Sequence, residues 1–415
     1  VISAVTAICY CFAGLQKLGA AHPLPYFSLI DCCSRCRMDA AGLQLAAQLL
    51  QQGACQPPAV MLQLLARPAA VAALTSAVAG LVKAWAVAMM HEAASHFADL
   101  SDEVDESSAD PATEDSVWLN PAIVAPSRAL HKSGNSVLQH SVKLPWLMAD
   151  VLVPLSAAVS RAVQSSGGGS SSSSNSQVTA SARLLLVLVA RSLHVFDQTL
   201  QGTAGFAHLS QEELLAGSGS SSATWQQYQA SHVSIGRHLM AVLQPAVQQQ
   251  QQQGGACCWP HLLQLHDVPL LVAAVQQAQQ AYVDSCWQFV MDSCRTSSSN
   301  ASSSSSSSSS APPGQAVAAP HPQVLEQQKF AEQHRERLEG LVESVKFLCW
   351  MLTEAVPLPE VCNNPGCQSL QGVLEAAAAV KACGGCGARY CSRKCQQADW
   401  DVHRKACRRL RGIQA

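Results

Sequence analysis

The sequence predicts a mainly α-helical protein, with an irregular helical body, disordered Ser/Gly/Gln-rich inserts and a small C-terminal cross-braced finger that binds metal. Three observations carry that expectation. Apolar residues between the low-complexity runs recur at helical rather than alternating spacing. Aromatic residues make up only 5 % of the chain, and strand signals are scarce. Seven of the 18 cysteines fall in the last 54 residues, beside one well-placed histidine.

The body is expected over residues 1–355. Asp39–Gln52, Ala59–Phe97, Val117–Val163, Val178–Thr199 and Trp225–Gln248 are rich in Ala, Leu, Val and Gln and read as helices. The best pattern runs from Val324 to Thr353. There Leu338, Leu341, Val342, Val345, Leu348 and Leu352 form one apolar face. Pro357 and Pro359 stop that helix. Stacked helical pairs in a solenoid are one form such a body can take, although no internal period of about 30–45 residues stands out.

Low-complexity runs cut the body into pieces. They are the acidic, Ser-rich Ser101–Asp115, the Gly/Ser runs Ser165–Ser176 and Gly217–Ser222, the pure Gln run Gln248–Gln253, and the Ser-rich Thr296–Gly314. Such segments bury too little apolar surface to offset chain entropy, so flexible insertions are expected.

The chain has 415 residues and begins at Val1 rather than Met, as a fragment or processed chain would. Charged residues are only 13 % and the net charge is −2, so bulk charge points to neither nucleic acid nor a membrane surface. No stretch reaches the run of about 18 uncharged apolar residues that argues for a membrane span. Val1–Leu15 is short, and Ala69–Val82 is bounded by Arg67 and Lys83. No basic region opens the chain as a signal peptide would. Clustered cysteines with a histidine suit metal binding in a reducing compartment, the nucleus or cytoplasm.

The finger is expected over residues 358–410. Its donors are Cys362 and Cys367, Cys383 and Cys386, Cys391 and Cys395, and His403 and Cys407. Four close pairs supply eight soft donors, enough for two closed tetrahedral zinc sites. Cys383-Gly384-Gly385-Cys386-Gly387 is a knuckle whose glycines can take positive φ. Asn364-Pro365-Gly366 is a turn sequence within the first pair. Cys391 and Cys395, like His403 and Cys407, are four apart and would share a helix face. The same spacing would put Gln396, Trp400, His403 and Cys407 on one stripe, behind a short extended segment over Gly387–Cys391. The Ala-rich insert Val373–Val380 suggests a small helix.

The ligand order, the run Ala388–Gln396, Trp400 and the His403/Cys407 spacing together resemble the MYND-type zinc finger. The match covers 46 residues, from Cys362 to Cys407. It implies interleaved sites: one zinc on Cys362, Cys367, Cys391 and Cys395, the other on Cys383, Cys386, His403 and Cys407. It also implies a protein-interaction module that binds short Pro-rich peptides, with Gln396 and Trp400 at peptide-contacting positions. Two features depart from the usual pattern: four residues separate the first pair, and fifteen separate Cys367 from Cys383. The CNNPGC form is similar to a variant found in green-algal members. RING and PHD fingers fit worse, because they place histidine in the middle of the ligand order.

From Leu358 onward nine Lys or Arg face four Asp or Glu. Zinc-bound thiolates offset that basic excess, with Arg389, Arg393, Lys394, Arg404 and Lys405 expected to balance them. A protein or peptide partner is therefore expected over nucleic acid, and no membrane. Other clusters are weaker. His91 and His96 are five apart and diverge on a helix, unlike a metalloprotease pair. Cys32, Cys33 and Cys36 lack a second pair, and Cys257 and Cys258 with His261 and His266 are poorly spaced. No catalytic residue is expected, and the chain reads as a non-enzyme. Two alternatives stand beside the adaptor reading. In one the finger only caps the body. In the other the chain is a SET-type lysine methyltransferase, a family that carries such a finger within its catalytic domain. Burial of Gln396 and Trp400 against residues 323–355 would favour the cap; an open face would favour a partner.

Overall fold

The structure is a computed structural model that describes residues 58–102, 147–166, 173–207, 212, 223–253, 267–300, 322–371 and 374–414. Among them ten α-helices and one two-stranded hairpin are formed. The body contains α1 (Pro58–Leu65), α2 (Pro68–Asp102), α3 (Val153–Ser166, entered through a π-helix at Met148–Leu152), α4 (Ser173–Ala207), α5 (Ala223–Gln253), α6 (Asp267–Asn300) and α7 (Pro322–Ala355). The expected helix Asp39–Gln52, the Val117–Trp146 part of the expected helix Val117–Val163, and the candidate clusters at Cys32 and at Cys257 lie outside the described residues.

The order of packing follows from α4. Its run Leu184 to Ala190 is apolar on every side, and a helix apolar all round must be covered all round. Leu185, Leu186, Val187, Leu188, Val189 and Ala190 are all buried. Helices α1, α2, α3 and α7 pack against α4, and α5 bridges α3 and α7. Trp85 of α2 meets Phe196 of α4 edge-on, with centroids 4.8 Å apart. The arrangement is a bundle round α4. In a solenoid each repeat meets only its neighbours; here α4 meets α7 across two intervening helices. The expected apolar face of α7 is buried from Leu341 to Leu352, with Leu338 half-buried against it. Burying each such leucine contributes roughly 1.5–3 kcal/mol.

Several expectations change. Ala59–Phe97 is two helices, since Pro68 opens a new one after a turn at Ala66 and Arg67. The Gln248–Gln253 run continues α5 rather than forming an insert, and Thr296–Asn300 and Ser173–Ser176 are likewise helical. Glutamine is a good helix former, and a run with no breaker extends the helix before it. Helix α6 itself was not anticipated, because its Gln-rich centre and Ser-rich end blur the apolar period. Two helices, over Pro68–His91 and Gln177–Ala204, are long and apolar enough to cross a membrane, contrary to the reading from uncharged runs. Both are mostly buried within the bundle.

One polar group sits inside the bundle with its partners. Asp197 of α4 accepts from the Tyr228 hydroxyl and pairs with Lys346 at 3.3 Å. Buried carboxylates persist only when paired in this way.

Candidate metal centre

After α7 the chain turns through Val356 to Pro359 and enters the finger. Its elements are α8 (Glu375–Ala378), β1 (Lys381–Ala382), β2 (Arg389–Tyr390), α9 (Arg393–Ala398) and α10 (Trp400–Gln414). The strands pair antiparallel, Lys381 opposite Tyr390. The knuckle between them closes through two backbone bonds: Cys383 N–H donates to Ala388 O at 2.8 Å, and Gly387 N–H donates to Cys383 O at 2.9 Å. Of the three glycines there, only Gly387 has positive φ, at 74°. Gly385 lies under the flexible end of the exposed Arg411 side chain. A Cβ on Gly385 would lie 2.1 Å from Nε of Arg411.

The donors gather into two sets: Cys362, Cys367, Cys391 and Cys395, and Cys383, Cys386, His403 and Cys407. Within each set all ligand atoms lie within 4.8 Å of one another. Zinc–sulfur bonds of about 2.3 Å at tetrahedral angles put sulfurs about 3.8 Å apart, and a sulfur and a histidine nitrogen about 3.5 Å apart. In the first set Cys367 and Cys391 sulfurs are 3.5 Å apart, and Cys391 and Cys395 3.3 Å. In the second, Cys383 and Cys407 sulfurs are 3.7 Å apart, and Cys386 Sγ is 3.5 Å from His403 Nε2. The donor chemistry and spacing fit two zinc ions in interleaved sites. Each set is complete with four protein donors, the closed form that structural zinc takes.

Proton chemistry points the same way. Burial pushes the Cys386 thiol up to about 12 and Cys391 up to about 11. Cys362, hydrogen-bonded to Cys367, is raised further, and Cys367 is lowered in return. Without a cation Cys362, Cys386 and Cys391 hold their protons; a bound metal displaces them.

The local frame differs from the expected one in two places. Cys391 precedes the cap of α9 rather than lying on its face. Ser392 is the N-cap, and its hydroxyl accepts from Cys395 N at 3.2 Å. The supposed stripe is split, since α9 ends at Ala398 and Asp399 separates it from α10. Gln396 is therefore on a different helix from Trp400, His403 and Cys407. The small helix expected in the Ala-rich insert is present as α8.

The finger is bonded to the body at its first site. The buried Arg191 of α4 donates to the carbonyl of Cys362 at 2.6 Å and of Asn363 at 3.0 Å. Lys83 of α2 meets Glu375 of α8 at 2.5 Å, and the same oxygen accepts from Cys362 N at 3.1 Å. Ser76 of α2 accepts from Ala376 N at 3.0 Å. Burial works against the Lys83 charge, but Glu375 and the Cys367 and Cys362 thiolates outweigh it and raise its pKa. Burial lowers that of Arg191, against the pull of Cys362 and Asp399. Asn363 staples the loop: its amide donates to Leu358 O and Arg389 O, at 3.0 and 3.1 Å.

These body contacts were missed in the sequence. Lys83, the one Lys or Arg of α2, and Arg191, one of two in α4, were the available signal, since a buried charge needs a partner. The cations expected to balance zinc, Arg389, Arg393, Lys394, Arg404 and Lys405, are all exposed instead. Arg389 stands on β2, Arg393 and Lys394 on α9, and Arg404 and Lys405 on α10, each turned to solvent while the donors turn inward.

Trp400 is 46 % exposed. One edge reaches the His403 ring, at 6.1 Å between centroids. Gln396 is half-buried. Two clefts flank the finger. One, of about 190 Å³, lies between α2, α4 and the Val361–Gln368 loop; the other, of about 260 Å³, between α7, α10 and Asn364. Neither is lined by Gln396 or Trp400. His91 lies in α2, half-buried, and no metal set forms on it among the described residues.

The family described as the MYND finger matches residues 361–407. No curated protein and no solved structure matches the chain. The matched segment spans the whole set of eight donors, so this region is a MYND zinc finger.

Proposed function

We propose that the MYND finger serves as a protein-interaction module that receives a short Pro-rich or extended peptide on the face carrying Gln396 and Trp400. The observation that carries this reading is the exposure of Trp400. An aromatic left open beside an extended backbone suits a peptide in a PPII or β-added form. The chain is then a non-enzymatic, zinc-dependent adaptor of the nucleus or cytoplasm. Two closed four-donor sites and seven thiolates that need a reducing compartment support that placement. The exposed Arg393, Lys394, Arg404 and Lys405 favour a peptide with acidic residues.

A second reading, the finger as a structural cap, draws on the buried contacts of Arg191 and Lys83. The two readings divide the finger between them. The first site faces the body, and Trp400 stands on the helix that supplies the second.

An array of Pro-rich and extended peptides, probed with the zinc-loaded chain and with a chelated control, tests the proposal. Trp400→Ala is expected to keep both zinc ions and lose peptide capture. Loss of zinc in that variant would mark Trp400 as packing. Salt-sensitive capture of DNA or RNA, with no peptide retained, would sink the peptide reading.

A further inference from the structure

The two zinc sites differ in what surrounds them. Four thiolates about a divalent ion leave two net negative charges, whereas three thiolates and a neutral imidazole leave one. At the first site Cys362 and Cys367 are buried, at 2 % and 5 % exposure. Negative charge in such a place needs cations or N–H donors close by. The finger's own Lys and Arg side chains near that site point to solvent. The cations that do reach it come from the body, Lys83 from α2 and Arg191 from α4.

Those two are not equivalent. Lys83 is matched by Glu375, so the pair is close to neutral. Arg191 has no carboxylate within ion-pair distance among the described residues. Its guanidinium instead forks onto the carbonyls of Cys362 and Asn363, at 2.6 and 3.0 Å. A buried guanidinium with only carbonyl partners is poorly compensated. Among the anions around it the Cys362 thiolate acts most strongly, ahead of the Asp399 and Glu375 carboxylates, which lie beyond ion-pair distance, and the Cys367 thiolate. The dependence is mutual. Without Arg191 the site loses one of its two body cations, and without the site Arg191 loses the thiolate that acts on it most strongly.

We infer that Arg191 is a positioning and charge-balancing residue of the first zinc site, and that this site is part of the helical body's fold, while the second belongs to the finger alone. No buried body cation reaches the second site among the described residues, although α10, which carries His403 and Cys407, packs against α7. The donors of this site stand on the knuckle and on α10, and the cation beside it, Arg411, comes from the same helix. The two ions should therefore leave the protein in a set order, the second first.

The test uses the full chain loaded with cobalt, whose absorption differs between a four-thiolate site and a three-thiolate, one-imidazole site. Chelator is added while absorbance and helical circular dichroism are followed. The mixed-ligand signal is expected to fade first with the helix content of the body retained. The four-thiolate signal should fade later, together with the body's cooperative melting. Arg191→Met should speed loss of the four-thiolate ion by about 10–100-fold, the range for residues that support metal ligands, and leave the other unchanged. Arg191→Lys, which keeps the charge and loses the fork, should recover part of that loss.

Equal release of both ions in Arg191→Met would overturn the inference, as would wild-type rates for both. So would Arg191→Lys behaving like Arg191→Met, which would reduce Arg191 to a hydrogen-bonding role. Should Arg191→Met not fold, the release order in the unaltered chain decides. Loss of the four-thiolate ion first, or without loss of the body's melting transition, refutes the assignment.

Discussion

The hydroxyl of Tyr390 donates to the Asp399 carboxylate at 2.8 Å in the interior of the finger. Tyr390 ends β2 between the two ligand sets, and Asp399 is the joint between α9 and α10. The Asp399 carbonyl also accepts from His403 N at 2.8 Å. One bond thus ties the hairpin to the helix that holds His403 and Cys407. Tyr390→Phe leaves a buried carboxylate short of a donor beside zinc-bound thiolates. It should cost about 1–3 kcal/mol of unfolding free energy with both zinc ions still bound. Denaturant unfolding with metal analysis of the folded fraction checks this.

Metal content offers a direct count. The full chain should carry two zinc ions, one for each donor set. Cys391→Ser should remove the ion of the first set, and Cys407→Ser that of the second. Elemental analysis after gel filtration reads the ratio. A single ion in the unaltered chain would contradict the interleaved arrangement.

The body has its own tight point. A Cβ on Gly236 of α5 would lie 2.5 Å from a methyl of Val345 on α7. Val345 is fully buried and has no room to move aside. Gly236→Ala should therefore cost about 1–3 kcal/mol through overpacking, despite the better helix propensity of alanine. Thermal melting of the variant beside the parent protein measures it. A rise in Tm would show that α5 and α7 can separate freely.

Acid should loosen the seam where the finger meets the body. Burial depresses His194 to about 4, and this side chain lines the cleft beside His403. The unfolded chain takes up the proton first, near its ordinary value of 6.5. The stability held by neutral His194 is thus whole above pH 6.5 and is lost as pH falls toward 4. The loss amounts to about 1–3 kcal/mol across that window. His194→Gln should flatten this part of the pH–stability curve. Zinc content, followed in the same samples, separates it from acid release of the metal.

The eight ligands were legible because each pair is local. Two donors a few residues apart declare their partnership in the sequence, and the family pattern supplies the pairing between distant ones. The α7 face was legible for the same reason, since Leu341, Val345, Leu348 and Leu352 repeat within a few turns. Contacts over long sequence distances left no such mark. Lys83 is nearly three hundred residues from Glu375, and neither position shows that it meets the other. The charge expectation failed on this point. Counting basic residues near the ligands in sequence located the wrong cations, because Arg389, Arg393, Lys394, Arg404 and Lys405 all turn to solvent where their elements turn the donors inward. Helix α6 was hidden by composition: glutamine and serine carry helical backbone without marking an apolar face.

Glu375 sits in the fifteen-residue spacer between Cys367 and Cys383, and its bond to Lys83 makes that spacer an arm. A finger held only by the chain leading into it would swivel. This one is held at two points, by the arm on α2 and by Cys362 and Asn363 on α4. Its bearing on the body is therefore set. Whatever occupies the Trp400 face would be presented to the helices at one angle and one distance, so that a dye pair spanning the partner and α2 would report a narrow separation. Cutting the arm with Glu375→Ala should broaden it.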